Sequence, residues 1–308
     1  MVDSTLNPAA DRRSAYIGVA CTLLGSIAFS GKPVIIKMAY QYGVDVMTLL
    51  ALRMLFAAPF FLAMAWWAGA AGDLTRRDWA AVLFLGFIGY YLGSYLDFAG
   101  LQYISASLGR LILFLYPTIV LLISALWLKQ RITAKHVISL LLSYSGIVLV
   151  FREEGALAGP LGPTLHGAAL VFASAVSYAV YLVAGSRMIV KLGSMRFTAY
   201  ASLSATVFVI GTFMGTHGPA RLAVPAEVYG LTLVLAVFST VVPLWLMAEG
   251  LKRIGANQLS LVACIGPLAT IALAHVFVGE PVTLIQLAGA TLVLAGVVII
   301  SLKPQAQS

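Results

Sequence analysis

Four ionisable residues sit inside long apolar runs: Lys32 in SIAFSGKPVIIK, Arg53 in LLALRMLF, Asp97 in YYLGSYLDFAG and Arg110 in SASLGRLILFLY. A charge at membrane depth costs several kcal/mol, so such residues mark functional sites by default. A guanidinium offers a planar fork that matches a carboxylate or phosphate. Lysine offers a compact positive point. A carboxylate there either neutralises a neighbouring cation or, once desolvated, titrates near neutral pH and can carry a coupling proton. If Asp97 neutralises one of the three cations, two remain. The expected cargo is then a small-molecule substrate with a negative head, anionic or zwitterionic.

Other chemistries find little support. The four histidines (His136, His166, His217, His275) have no metal-ligand spacing, and no HExxH or nucleophile turn occurs. The two cysteines, Cys21 and Cys264, lie in apolar runs and give no zinc or disulfide framework. The expectation is therefore a protein that is not an enzyme and uses no metal or other cofactor.

The surroundings of those charges define the fold class. Of 308 residues, 61% are hydrophobic and 10% charged, where soluble domains carry about 25% charged. A membrane-crossing helix needs about 20 apolar residues. Such stretches run over 16–38, 46–68, 79–101, 106–128, 134–151, 167–190, 197–215, 227–249, 257–278 and 283–302, predicting an all-α integral membrane protein of ten transmembrane helices. The stretch at 16–38 reads as a retained span, because residues 1–14 carry Asp3 and Asp11 and lack a cleavage pattern. Of the 19 basic residues, thirteen fall on one side of this ten-span scheme, Lys37, Arg152 and Arg221 on the other, and Lys32, Arg53 and Arg110 within spans. Positive loops stay inside, which predicts cytoplasmic termini in a bacterial inner (plasma) membrane. The basic excess thus follows from topology, with the lipid bilayer and no nucleic acid as partner. Trp66, Trp67, Trp79 and Trp127 stand near span ends, as interfacial anchors do.

Sliding the chain by 150 residues aligns it with itself. Gly100, Leu101, Ile104 and Ala106 recur as Gly250, Leu251, Ile254 and Ala256, Pro117 as Pro267, and Gly146 as Gly296. Each half has five spans, an odd number, so the halves cross in opposite senses. Such two inverted five-helix repeats are typical of secondary transporters, which bind cargo between the halves. The expected organisation is an N-terminal tail at 1–14, a first repeat at 15–151, an external linker at 152–165, a second repeat at 166–302 and a C-terminal tail at 303–308.

The stretches quoted above, with GLQYISASL leading to YPTIVLLISALWLKQRIT in one half and GLKRIGANQLSL leading to GPLATIALAHVFVGEPVT in the other, resemble the EamA family of the drug/metabolite transporter superfamily. The resemblance covers residues 15 to 302. Phe29 replaces the family's usual Trp in the first span, and Lys129-Gln130 its usual Gly-Glu after the fourth. The resemblance implies a ten-helix carrier, monomeric or homodimeric, with a cavity lined by the first, third, fourth, sixth, eighth and ninth helices. It places Arg110 at the cavity and leaves Arg53 outside it.

From the residues themselves, Lys32 between Gly31 and Pro33 predicts an interrupted helix. Candidate substrate contacts are Lys32, Asp97 and Arg110, with Tyr91, Tyr95, Phe114, Tyr178, Tyr181 and Trp245 as an aromatic lining. Glu280 reads as a cap of the last helix, and Gly89/Gly93 and Gly211/Gly215 as close helix contacts. The function expected is an exporter or exchanger working by alternating access. The alternatives are an exporter of amines or drugs, for which an acidic cavity would be required, and an intramembrane enzyme.

Overall fold

The computed structural model describes residues 8–69, 74–127, 132–158 and 161–301. Lys129, Gln130 and Arg131, residues 1–7 of the expected N-terminal tail and the expected C-terminal tail at 303–308, Lys303 included, lie outside them. Ten apolar helices follow one another, with no strand among the described residues. They are α1 Ser14–Tyr40, α2 Val46–Trp67, α3 Arg76–Gly100, α4 Ala106–Trp127, α5 Ala134–Ala156, α6 Leu161–Leu192, α7 Ser194–Thr216, α8 Ala226–Gly255, α9 Leu261–Val278 and the shorter α10 Leu284–Ile299. The segment 152–165 is mostly helical, because the helix of α5 runs on to Ala158 and α6 starts at Leu161. Pro163 is accommodated in the first turn of α6, where its missing N–H has no intrahelical partner to lose.

The repeat is visible in the backbone. α3 contains a π turn at Phe87–Leu92 and α8 one at Val237–Val241, 150 residues on. Gly43 and Gly193, also 150 apart, both take a left-handed φ, 73° and 77°. α4 is interrupted at Phe114 and Leu115, and the chain turns at Cys264 before α9 continues through Pro267. The packing is closed under exchange of halves: α1 lies on α8 and α9 as α6 lies on α3 and α4, while α2 pairs with α7 and α5 with α10. This is a ten-helix fold of two inverted five-helix repeats.

In lipid there is no hydrophobic drive between helices, so close backbone approach and interhelical hydrogen bonds hold the bundle. The α5–α10 seam shows both. Ser139 Oγ donates to Gly296 O, and a Cβ at Gly289 would lie 2.3 Å from Val150 Cγ2 and 2.7 Å from Gly146 O. Gly289→Val is therefore expected to cost about 1–3 kcal/mol by overpacking, read as a lower unfolding temperature in detergent. An unchanged temperature would show that the seam yields. Gly89 likewise lets α3 meet Tyr181, whose Cγ would be 2.4 Å from an added Cβ. By contrast, Gly211 and Gly215 face open space and make no close helix contact.

α1 is continuous from Pro8 through Pro33 to Tyr40, so the interruption expected at Lys32 does not occur. Contacts from α9 support the helix there. Ser30 Oγ donates to Ser26 O at 2.6 Å and Gly266 O at 2.8 Å, and Thr270 Oγ1 donates to Ser30 O at 3.1 Å. Neighbouring helices and hydroxyls commonly compensate a proline within a membrane helix in this way.

Candidate functional site

A cavity of 280 Å³ lies between the halves. Seven helices reach it: α1 with Phe29 and Lys32, α2 with Arg53 and Phe61, α3 with Tyr90 and Ser94, α4 with Arg110 and Phe114, α6 with Ser174 and Tyr178, α8 with Leu244 and Met247, and α9 with Ala263. The presence of α2 corrects the expected lining.

The cavity is polarised. Consecutive helices alternate in direction, so the loops 41–45 and 101–105 share one end of the bundle. Counting about 1.5 Å per residue, Lys32, Arg53, Asp97 and Arg110 lie roughly 5–12 Å inside that end. Phe61, Leu244, Met247 and Ala263 line the opposite part.

At the charged end, Lys32 Nζ pairs with Asp97 Oδ2 at 2.8 Å, and the side chains are 17% and 6% exposed. Phe98 backs the cluster: Lys32 Nζ is 5.6 Å and Arg53 Cζ 5.0 Å from its ring centre. Tyr40 ties α1 to the same place by donating to Phe98 O at 2.8 Å. Arg53 Nη2 donates to Ser94 Oγ at 2.9 Å, and its buried Nε has no hydrogen-bond partner. Arg110 Nε is also buried without one, and its guanidinium lies over Gly266, where an added Cβ would come within 3.0 Å of Nη2. Among the described residues, neither arginine forms an ion pair within 4 Å; the ion pair at membrane depth near the cavity is Lys32 with Asp97. No aspartate or glutamate is among the lining residues. Two buried cations thus share the field of a single carboxylate that is itself paired with Lys32.

The aromatic candidates separate into two groups. Phe114 and Tyr178 line the cavity, and Tyr181 stands one layer behind, stacked between Tyr178 at 5.9 Å and Phe197 at 5.4 Å. Tyr91 instead packs on Phe87 and Phe208 and hydrogen bonds Thr212 at 3.1 Å. Tyr95 is 39% and Trp245 64% exposed on the outer surface of the bundle. Their place at the cavity is taken by Tyr90 and Tyr116, which sequence reasoning passed over. The π turn explains the first exchange. One extra residue in a turn rotates the following side chains by about 100° relative to regular α spacing, bringing Tyr90 inward. Ser177 Oγ to Ile88 O and Ser174 Oγ to Gly93 O, each 2.6 Å, pin that turn to α6.

The first turn of α4, which carries Arg110, is capped by both halves of the chain. Glu280 accepts from Ala106 N at 2.6 Å, Ser107 N at 3.2 Å and Ser107 Oγ at 2.7 Å. Glu154 accepts from Ser105 N at 2.6 Å and from Ser105 Oγ. Glu280 therefore caps α4, across the repeat boundary, and not the last helix as expected.

A cavity between inverted five-helix halves is the architecture of a secondary transporter. The profile of the EamA-like transporter family matches residues 16–152 and again 165–302. The chain is 31% identical over 284 residues, 90% of each protein, to the uncharacterized transporter YcbK of Bacillus subtilis (strain 168). It is 28% identical over 242 residues to the uncharacterized transporter YyaM of the same organism, covering 78% of this chain and 79% of the other. A solved crystal structure superposes with a TM-score of 0.62 at 18% identity, covering 93% of this chain and 95% of the other, and so shares the fold. The chain belongs to the EamA-like transporter family, within the drug/metabolite transporter superfamily. It is an integral membrane transporter.

Proposed function

We propose that this transporter carries a small organic anion or zwitterion by alternating access, as an exporter or exchanger in a bacterial inner membrane. Two repeats, 15–151 and 166–302, are the moving bodies. The termini are cytoplasmic, so the charged end of the cavity faces outward. Lys32 and Arg110 hold the negative head of the cargo, with Phe114 and Tyr178 beside it. The observation that carries this reading is the excess of cations over carboxylates at one end of the cavity. A cavity of 280 Å³ is of the size that takes a small metabolite. An amine exporter would need an acidic lining, and no carboxylate is among the lining residues.

The test is untargeted metabolite profiling of cells and medium, with wild type or Arg110→Gln at matched membrane levels. Solutes with a carboxylate or phosphate are expected to redistribute with wild type and at least tenfold less with the variant. Equal redistribution in both strains would remove Arg110 from the site. Movement of amines alone would overturn the charge argument.

A further inference from the structure

The charge distribution narrows the cargo beyond that reading, on which this inference rests. We infer that the cargo is an organic anion without an ammonium group: a compact negative head on an apolar body of amino-acid size.

The cavity lining offers cations to a negative head and no carboxylate to a positive one. Asp97, the carboxylate nearest the cavity, is held by Lys32 at 2.8 Å. Arg53 and Arg110 stand in the same end without an ion-pair partner within 4 Å among the described residues, and each keeps a buried Nε without a hydrogen-bond partner. An α-ammonium sits within a few bond lengths of its carboxylate. A head drawn to these cations would therefore carry the ammonium into their field, where like charges disfavour one another. Neutral hydroxyls in the lining, among them Ser94, Ser174 and Ser26, can accept from it, but none supplies a negative charge to offset that field.

The far part of the cavity fixes the body of the solute. Phe61, Leu244, Met247 and Ala263 are apolar, and the polar groups at similar depth, Ser26, Thr240 and Tyr178, are neutral hydroxyls. A second charged group at that end of the solute would lose its water without compensation. A branched or aromatic tail loses nothing there.

Purified protein in liposomes, with protein-free liposomes as baseline, is offered two matched sets at neutral pH. The first is 4-methyl-2-oxopentanoate, L-leucine and isoamylamine; the second is phenylpyruvate, L-phenylalanine and phenylethylamine. Within each set the body is constant and the head changes from anion to zwitterion to cation. The oxo acid is expected to enter at least tenfold faster than its amino acid in one or both sets, and Arg110→Gln is expected to remove that flux. Amino acid flux equal to or above that of the oxo acid overturns the inference and leaves a zwitterion carrier standing. Flux of the amines alone overturns both the inference and the anion reading. If none of the six enters by an Arg110-dependent route, the inference fails for these bodies, and the profiling experiment decides whether an anion carrier remains.

Discussion

Asp97→Asn is expected to lower the stability of the folded protein by about 3–5 kcal/mol, while the double variant Lys32→Met with Asp97→Leu is expected to recover most of the loss. Removing one partner of a buried pair leaves an uncompensated charge, whereas replacing both by apolar groups of similar size is often neutral. Here the loss is compounded. Asp97 is 4% exposed, and Lys32 reaches it at 2.8 Å across the face of Phe98. Without the carboxylate, Lys32, Arg53 and Arg110 face one another with no negative group among the residues lining the cavity. Unfolding temperature and the monodisperse fraction in detergent read the effect. A single variant as stable as wild type would show that the cluster is hydrated well enough to need no counter-charge. The double variant separates roles further: stable protein that no longer moves cargo assigns Lys32 to binding as well as to structure.

Much of this architecture was legible in the sequence because the bilayer imposes a length. Every span read from hydropathy has a helix, and the offset of 150 that aligns Gly100 with Gly250 and Pro117 with Pro267 also relates the two π turns. Which face of a helix meets the cavity was much harder to read. In a soluble protein the polar face points outward, but in a membrane both the lipid face and the packed face are apolar, so the aromatic spacing of Tyr91, Tyr95 and Trp245 carries no direction. Charges do carry direction, because lipid excludes them. Lys32, Asp97 and Arg110 come together at one end of the cavity, and Arg53 joins them through α2. The family's helix arrangement leaves Arg53 outside the cavity, whereas its side chain lines it; its own position within an apolar run was the better guide to its place. The interruption foreseen at Pro33 failed for a different reason. Proline removes a donor locally, and Ser30 with Thr270 and Gly266 satisfies the neighbourhood from another helix, a contact that no local pattern announces.

Glu280→Ala is expected to cost about 2–4 kcal/mol, and Glu280→Gln about half of that. Hydrogen bonds to a charged group are worth about 1.5–3 kcal/mol each where buried, and a carboxylate at a helix N-terminus gains further from the dipole. Glu280 serves two backbone donors and one hydroxyl of α4, and it is half-buried, which holds the total toward the lower figure. Glutamine keeps an accepting oxygen and loses the charge. The larger consequence is for the site. Arg110 lies one turn beyond this cap, and Glu280 comes from the segment joining α9 to α10 in the other repeat. The cap thus ties the helix that positions a guanidinium in the cavity to the opposite half of the carrier. Freed from it, the first turn of α4 frays and Arg110 loses its fixed position over Gly266. The concentration of cargo giving half-maximal flux is then expected to rise several-fold, and more for alanine than for glutamine. Glu154→Ala, in the extension of the α5 helix, should weaken the same turn through Ser105. The two losses are expected to be less than additive, since either alone releases the end of one helix. Full additivity in unfolding temperature, with unchanged half-saturation in both variants, would mean that these carboxylates stabilise two independent contacts and leave Arg110 undisturbed.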